Sequence, residues 1–342
     1  KLLLMIPHNR PTLGIEESKA VERVILSGNV AQGEEVRKFE NEFCSFMGLP
    51  NGHAIVVSSG TSALFLALWV LNARNKKIIF PGYVCSALHH AVKMIGGEEV
   101  FIDTSPNSPN ISINKINQSN ADISIIPHMF GIPIDFNKLE KTIAIEDCCQ
   151  ALGAKIKGKL VGLQSKIGIF SFYATKLMTT GGQGGMLISK EKKIIEEVRN
   201  FLDCDAMRNN QQKFNFKMTD MQAAIGRVQL KKLPKFLARR EEIFSMYKNA
   251  NIELVDIPEK DTLDIFPVRY RAIMKTKEPN KIVNHLNLHD IKAMIPMEGW
   301  IDESNFPNAF KLTKKYVSLP IYPTLDNRDV KKIISVINEV SN

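Results

Sequence analysis

The sequence predicts an α/β protein: a mostly parallel central sheet covered by helices, followed by a smaller C-terminal α+β domain. Three observations carry this reading. Short apolar runs of strand length occur at Ala54–Ser58, Lys77–Phe80, Glu99–Asp103, Ile123–Ile126, Thr142–Glu146, Ile167–Phe172 and Gly185–Ser189. Several are followed by longer helix-like stretches, the alternation that builds parallel sheets. Beyond the basic helical segment Gln229–Tyr247 the pattern changes, which puts a boundary there and divides the chain into residues 1–240 and 241–342.

The elements follow in order. Ile15–Ser27 reads as an N-terminal helix able to join either domain. The run Ala54–Val57 feeds Ser58-Ser59-Gly60-Thr61-Ser62, which opens an apolar helix-like stretch, Ala63–Leu71. Asp103–Ala121 is rich in Asn, Ser and Pro and reads as a loop with a short helix. In the second domain, Ile252–Val255, Phe266–Met274 and Ala293–Pro296 read as strands, with helices at Pro279–Leu286 and Asp326–Val340. No internal repeat or low-complexity tract is present.

Composition excludes several classes. With 342 residues, 44% hydrophobic and 24% charged, the chain is long enough for a large core and is neither disordered nor membrane-like. The formal charge of +9 suits an anionic substrate, but the basic residues do not cluster with aromatics, so no nucleic-acid partner is expected. Leu2–Ile6 is too short an apolar stretch for a signal peptide or a membrane span. The odd count of five cysteines, with no Cys-x-x-Cys pair and no histidine cluster read at metal spacing, fits reduced thiols in the cytoplasm, and no metal site is expected. Adjacent Cys148 and Cys149 read as small core fillers.

Chemistry concentrates in three segments. Ser171 to Gly185 sets Lys176 between a short aromatic, hydroxyl-rich run and a glycine cluster, where a Schiff-base lysine would sit. An amine becomes a useful nucleophile toward an aldehyde when it is held rigidly, partly desolvated and close to cations that depress its pKa. Ser58–Leu64 offers amides and hydroxyls at a helix N-terminus, a ready phosphate site, although alone it would be an ordinary cap. Asp147 ends a buried strand, where a carboxylate can pair with a protonated pyridine nitrogen. Any one of these is commonplace. Phosphate turn, acid and lysine in that order are what a pyridoxal phosphate site requires.

With these residues in view, the chain resembles the DegT-type sugar aminotransferases of fold type I over nearly its whole length. The likeness runs through Gly28–Gly33, Ser59–Leu64, Pro81–Cys85, His128–Gly131, Glu146–Ala154, Phe170–Gly185, Asn215–Gly226 and Leu319–Pro323. The resemblance implies that residues 1–240 form the domain binding pyridoxal 5'-phosphate, and that 241–342 pack on it and shape the substrate cleft. It implies that Lys176 holds the cofactor covalently and shuttles a proton, that Asp147 keeps the pyridine nitrogen protonated, and that Gln150 contacts the ring hydroxyl. Gly60, Thr61 and Ser171 would bind the phosphate, and Asn215 would reach the phosphate of a neighbouring subunit's cofactor, which requires a homodimer. The implied reaction moves an amino group from glutamate to a keto sugar, nucleotide-linked, in surface polysaccharide or natural-product sugar biosynthesis.

The chain departs from the family pattern in two places. Cys85 stands where many members stack an aromatic residue on the pyridine ring, so the stacker is Cys85 itself or Tyr83 compensates. In Ala293–Trp300, Glu298 replaces a histidine common near the substrate. Two other classes remain open at this point: a sugar dehydratase of the same fold, which typically lacks the lysine that Lys176 supplies here, and a non-catalytic regulator, which needs no intact site.

Overall fold

The computed structural model describes residues 5–204, 213–257, 264–297, 299 and 301–341. Five strands open the central sheet: β1 (Ala54–Val57), β2 (Lys77–Pro81), β3 (Glu98–Ile102), β4 (Ile123–Pro127) and β5 (Ile143–Asp147). The short pair β6 (Lys155–Ile156) and β7 (Lys159–Leu160) precedes β8 (Ile167–Ser171) and β9 (Gly185–Ser189). The helices of this part are α1 (Ile15–Ser27), α2 (Glu34–Met47), α3 (Gly60–Val70), α4 (Ala87–Ile95), α5 (Ile113–Asn117), α6 (Lys192–Leu202) and α7 (Asp220–Asn249).

The seven-stranded sheet has the order β1-β9-β8-β5-β4-β2-β3. Only β9 runs against its neighbours, pairing antiparallel with both β1 and β8, so β1 points the same way as β8 and the parallel strands β2 to β5. Both faces are covered everywhere but at the edge strand β3, which explains why the other strands read as continuous apolar runs rather than as alternation. Ile55, Val57, Ile167, Ile169 and Leu187 pack with α3, α4 and α6. Their neighbours Ala54, Val56, Phe170, Met186 and Ile188 face the other way, into a core with Phe39 and Phe43 of α2 and Leu230 and Leu233 of α7. The period-two pleat thus feeds two cores from one sheet.

The remaining elements are β10 (Ile265–Phe266), β11 (Ala272–Lys275), α8 (Pro279–Leu288), α9 (Pro307–Thr313), β12 (Tyr316–Leu319) and α10 (Asn327–Ser341). Of these, β11, α8, β12 and α10 share a separate core, in which Ile243, Phe244 and Tyr247 of α7 meet Ile282, Val317, Ile333 and Ile337, whereas Ala309 and Leu312 of α9 pack into the core that holds α3 and α4, and β10 pairs with β6. A division at 240/241 therefore falls inside the continuous helix α7. The helix α1 lies on α7, where Ala20 and Val24 meet Ala224.

Several expected strands in this region are corrected. Phe266–Met274 is not one strand but breaks into β10 and β11. Between them Val268 N bonds Gly131 O at 3.0 Å, and Arg240 Nη1 donates to the carbonyls of Arg269 and Tyr270 at 3.2 and 3.3 Å. Those backbone groups are satisfied outside a ladder, so the strand has no reason to continue. Ile252–Val255 and Ala293–Pro296 contribute only single bridges, Leu254 to Met274 and Met294 to Ser318. The partner of β11 is instead β12, in antiparallel register, which the sequence reading does not anticipate. Glu298 lies outside the described residues.

Candidate active site

The carboxyl edge of the sheet gathers the predicted residues, as expected for a parallel α/β sheet. Gly185 opens β9 there, opposite both Val57 at the end of β1 and Ser171 at the end of β8. A Cβ on Gly185 would lie 2.2 Å from Ser59 O, so only glycine lets the β1–α3 turn close over this edge. Ser59 caps α3, its Oγ accepting from Ser62 N at 3.0 Å, and Gly60 is the first helical residue. A Cβ on Gly60 would stand 2.8 Å from Ser171 Cβ and 3.1 Å from its Oγ. The two predicted phosphate segments, far apart in sequence, are thus in contact.

Asp147 ends β5 and is buried; its Oδ1 accepts from Cys149 N at 2.9 Å. Its neighbour Glu146 faces the opposite side of the strand, as pleating demands. There Glu146 Oε1 meets His128 Nε2 at 2.9 Å and its Oε2 accepts from Gln164 N at 2.9 Å. Although burial alone would raise the Glu146 pKa, these bonds hold it below the ordinary carboxylate value. Of the two acids, Glu146 is committed to structure and Asp147 to the edge.

Lys176 lies on the β8–β9 connection. Its amide donates to Tyr173 O at 2.9 Å, and Ala174 N donates to Gly182 O at 2.9 Å, closing the loop on its glycines. Two long-range contacts fix the loop from outside. Asn9 Nδ2 donates to Thr175 O at 3.1 Å, and Gln229 of α7 accepts from Thr179 N at 3.4 Å while donating to Thr12 O at 2.7 Å. Rigidity is thereby supplied, as the sequence reading requires.

The expected depression of the Lys176 pKa is not found, and that expectation is corrected. Burial pulls it down, but Tyr270, Cys149, Asp147 and Cys85 pull it up, and the balance is upward. The physical reason is that the groups nearest the amine are acids, while the nearby cations serve a different residue.

That residue is Tyr270, which the sequence reading passes over as part of a strand. Its buried ring lies 5.1 Å, centroid to Nζ, from Lys176, and 5.1 Å from the Arg271 guanidinium carbon. Burial pushes its phenol up, but Lys176, Arg271 and Arg240 together pull it below the ordinary tyrosine value, with a hydrogen bond to the Lys176 side chain contributing. Arg240 is fully buried, its pKa lowered to about 10 chiefly by burial, and its Nε has no hydrogen-bond partner. A visible signal for this cluster exists in the run Arg269-Tyr270-Arg271 ahead of an apolar stretch.

The other predicted residues fall around these. Gln150 Oε1 accepts from Phe130 N at 2.8 Å, which leaves its Nε2 as a donor with only a weak contact to Met129 Sδ at 3.9 Å. Thr61 is half-buried in the first turn of α3. Cys85 is exposed, whereas Tyr83 is buried edge-on to Phe130, its hydroxyl directed at Pro296 O at 3.4 Å. Asn215 is exposed, and its Oδ1 accepts from Lys217 N at 3.0 Å.

This donor set fits pyridoxal phosphate. The N-terminus of α3, with Gly60 pressed on Ser171, offers amides and hydroxyls for a dianion, Asp147 offers a carboxylate for a cation, and Lys176 an amine. Ser58, Ser59 and Ser62 are already linked, with Oγ distances of 3.1 and 2.8 Å to Ser62, so the hydroxyls of this turn are ordered in advance.

Comparison with known proteins agrees with this chemistry. The model of the DegT/DnrJ/EryC1/StrS aminotransferase family matches residues 11–338. The chain is 30% identical to GDP-perosamine synthase of Escherichia coli O157:H7, covering 98% of each chain. It is 26% identical to dTDP-3-amino-3,4,6-trideoxy-alpha-D-glucose transaminase of Streptomyces venezuelae, covering 96% of this chain and 92% of that one. Its fold matches the PLP-form of the putative sugar aminotransferase Spr1654 from Streptococcus pneumoniae with a TM-score of 0.90 at 21% identity, over 99% of both chains.

Proposed function

This chain belongs to the DegT/DnrJ/EryC1/StrS aminotransferase family, and from that premise we propose that it transfers the amino group of glutamate to a nucleotide-linked keto sugar. It is a pyridoxal phosphate-dependent sugar aminotransferase. The observation that carries the reading is the convergence of Gly60, Ser171, Asp147 and Lys176 on one sheet edge. The names of the GDP- and dTDP-sugar relatives support the nucleotide link.

When bound, the cofactor supplies an electron sink for negative charge at the carbon bearing the amine. In our reading, Gly60, Thr61 and Ser171 hold its phosphate, Asp147 keeps the proton on the pyridine nitrogen, and Gln150 Nε2 donates to the ring hydroxyl. Lys176 Nζ is the group that carries the proton between carbon centres. Tyr270 exchanges a proton with that amine, the phenolate and ammonium being interchangeable with phenol and free amine at no net charge cost. Cys85 covers the ring in place of an aromatic residue. Asn215 serves a partner subunit's phosphate in a homodimer, residues 1–240 and 241–342 act as the two domains, and the enzyme works in the cytoplasm. No helix among the described residues is long and apolar enough to cross a membrane.

The test is turnover of a panel of GDP-, dTDP- and UDP-linked keto sugars with glutamate, following 2-oxoglutarate release and the mass of the sugar product. Amination of at least one nucleotide sugar with stoichiometric 2-oxoglutarate is expected. Amination of free sugars only, or turnover indifferent to glutamate, would overturn the reading.

A further inference from the structure

Away from the site described above, α8 and α10 bring three metal-ligating side chains together. His285 lies in the last turn of α8 and His289 caps it one turn later, so both imidazoles share a face at the i, i+4 spacing. Their ring centroids are 4.4 Å apart. From α10, Glu339 Oε2 stands 3.2 Å from His285 Nε2 and 3.7 Å from His289 Nε2, and one ligand atom of each residue lies within 4.8 Å of the others. The helices that carry them are fixed by a common core, since Ile282 and Leu286 pack with Ile333, Val336 and Ile337.

The hydrogen bonding of His289 makes this more than a chance surface cluster. Its Nδ1 is 2.9 Å from His285 O. A carbonyl only accepts, so Nδ1 carries the proton, and in the neutral ring Nε2 is a bare lone pair facing a carboxylate oxygen. Lone pair against carboxylate is unfavourable unless a proton or a metal ion lies between them, and the bond to His285 O aims Nε2 at Glu339 ready for either. A backbone carbonyl that fixes the tautomer is also the usual outer contact of a metal-bound histidine.

We propose that His285, His289 and Glu339 form a site for a divalent ion of the zinc class, bridging α8 to α10 with the remaining coordination open to water. Tetrahedral ligands at about 2.0–2.2 Å lie roughly 3.3 Å from one another, close to the spacings seen. Two imidazoles and one carboxylate select zinc or a similar transition ion over magnesium, which prefers an all-oxygen, hydrated octahedron. The sequence reading expects no metal site; the pair His285-x-x-x-His289 is visible in it, but the third ligand is supplied only by the fold.

The test is calorimetric titration of zinc chloride into the untagged full chain after chelator treatment, alongside Glu339→Gln and the double variant His285→Gln/His289→Gln, with thermal melts on each. The wild type should bind one more zinc than the double variant, with micromolar affinity. Glu339→Gln should weaken that site about tenfold, and zinc should raise the wild-type melting temperature more than the double variant's. Magnesium should give no heat at this site. Zinc bound at Cys85 or Cys204 would appear equally in all three proteins and so cancels. Identical zinc stoichiometry and melting shifts in wild type and double variant, with circular dichroism showing both folded, would mean that the three groups form only an imidazolium–carboxylate cluster and would overturn the proposal.

Discussion

The amine of Lys176 lies 5.1 Å from the centre of the Tyr270 ring, and each of the two side chains moves the other's pKa toward the charged form. The pair couples the loop between β8 and β9 to the segment just before β11, elements almost a hundred residues apart in the chain.

Tyr270→Phe keeps the ring and removes the acid. Turnover is expected to fall about 10²-fold, the usual worth of a positioned proton donor or acceptor. Because the phenolate raises the Lys176 pKa, its loss should lower it, so acylation of Lys176 in cofactor-free protein should begin at lower pH. Unchanged acylation and unchanged turnover would remove Tyr270 from the mechanism.

Lys176→Ala should abolish turnover and the visible absorption of the protein-bound cofactor, while circular dichroism stays native. The loop is held by backbone bonds and by Asn9 and Gln229, none of which uses the lysine amine. A Lys176→Ala protein transaminating at the native rate would sink the assignment.

Asp147→Asn removes the charge but keeps an oxygen to accept from Cys149 N. The fold should survive and turnover should fall by orders of magnitude, since the pyridinium proton loses its counter-charge. Near-normal kinetics would show that another acid does this work.

His8 gives a stability prediction. Arg271 Nη1 lies 2.7 Å from its Nδ1 and Ser318 Oγ lies 2.9 Å from its Nε2, and burial, aided by Arg271, lowers its pKa from 6.5 to about 3. The unfolded chain therefore binds a proton between those values that the folded chain refuses. Its stabilising contribution is complete above pH 6.5 and is lost as pH falls toward 3. Taking the protein from about pH 6.5 to pH 5 should cost about 1.5 kcal/mol from this group. Denaturant melts of wild type and His8→Gln at both pH values measure it, and equal losses would contradict it.

Shared sites predict complementation. Inactive Lys176→Ala mixed with an Asn215 variant weak in cofactor binding should give hybrid dimers with one doubly damaged site and one intact site, and activity should rise above either parent after subunit exchange. A fully active monomer on a sizing column would count decisively against sharing.

The sequence by itself determined the sheet and the main chemical parts. The strands β1, β2, β4, β5, β8 and β9 are largely buried on both faces, so their apolar runs are local and legible, and only the edge strand β3 is mostly open. Lys176, Asp147 and the Ser59–Gly60 turn were legible too, because each residue type in its order is demanded by the cofactor's chemistry. Sequence could not assign the roles of Glu146 and Asp147, which the pleat separates onto opposite faces. Nor could it give Tyr270 its character, since Arg271 is its neighbour in the chain but Arg240 and Lys176 come from α7 and the β8–β9 connection, or find the partner of β11, which is the distant β12 rather than a neighbouring run. Those features are long-range: a pKa or a strand pairing depends on what the fold brings near, and no local pattern records it.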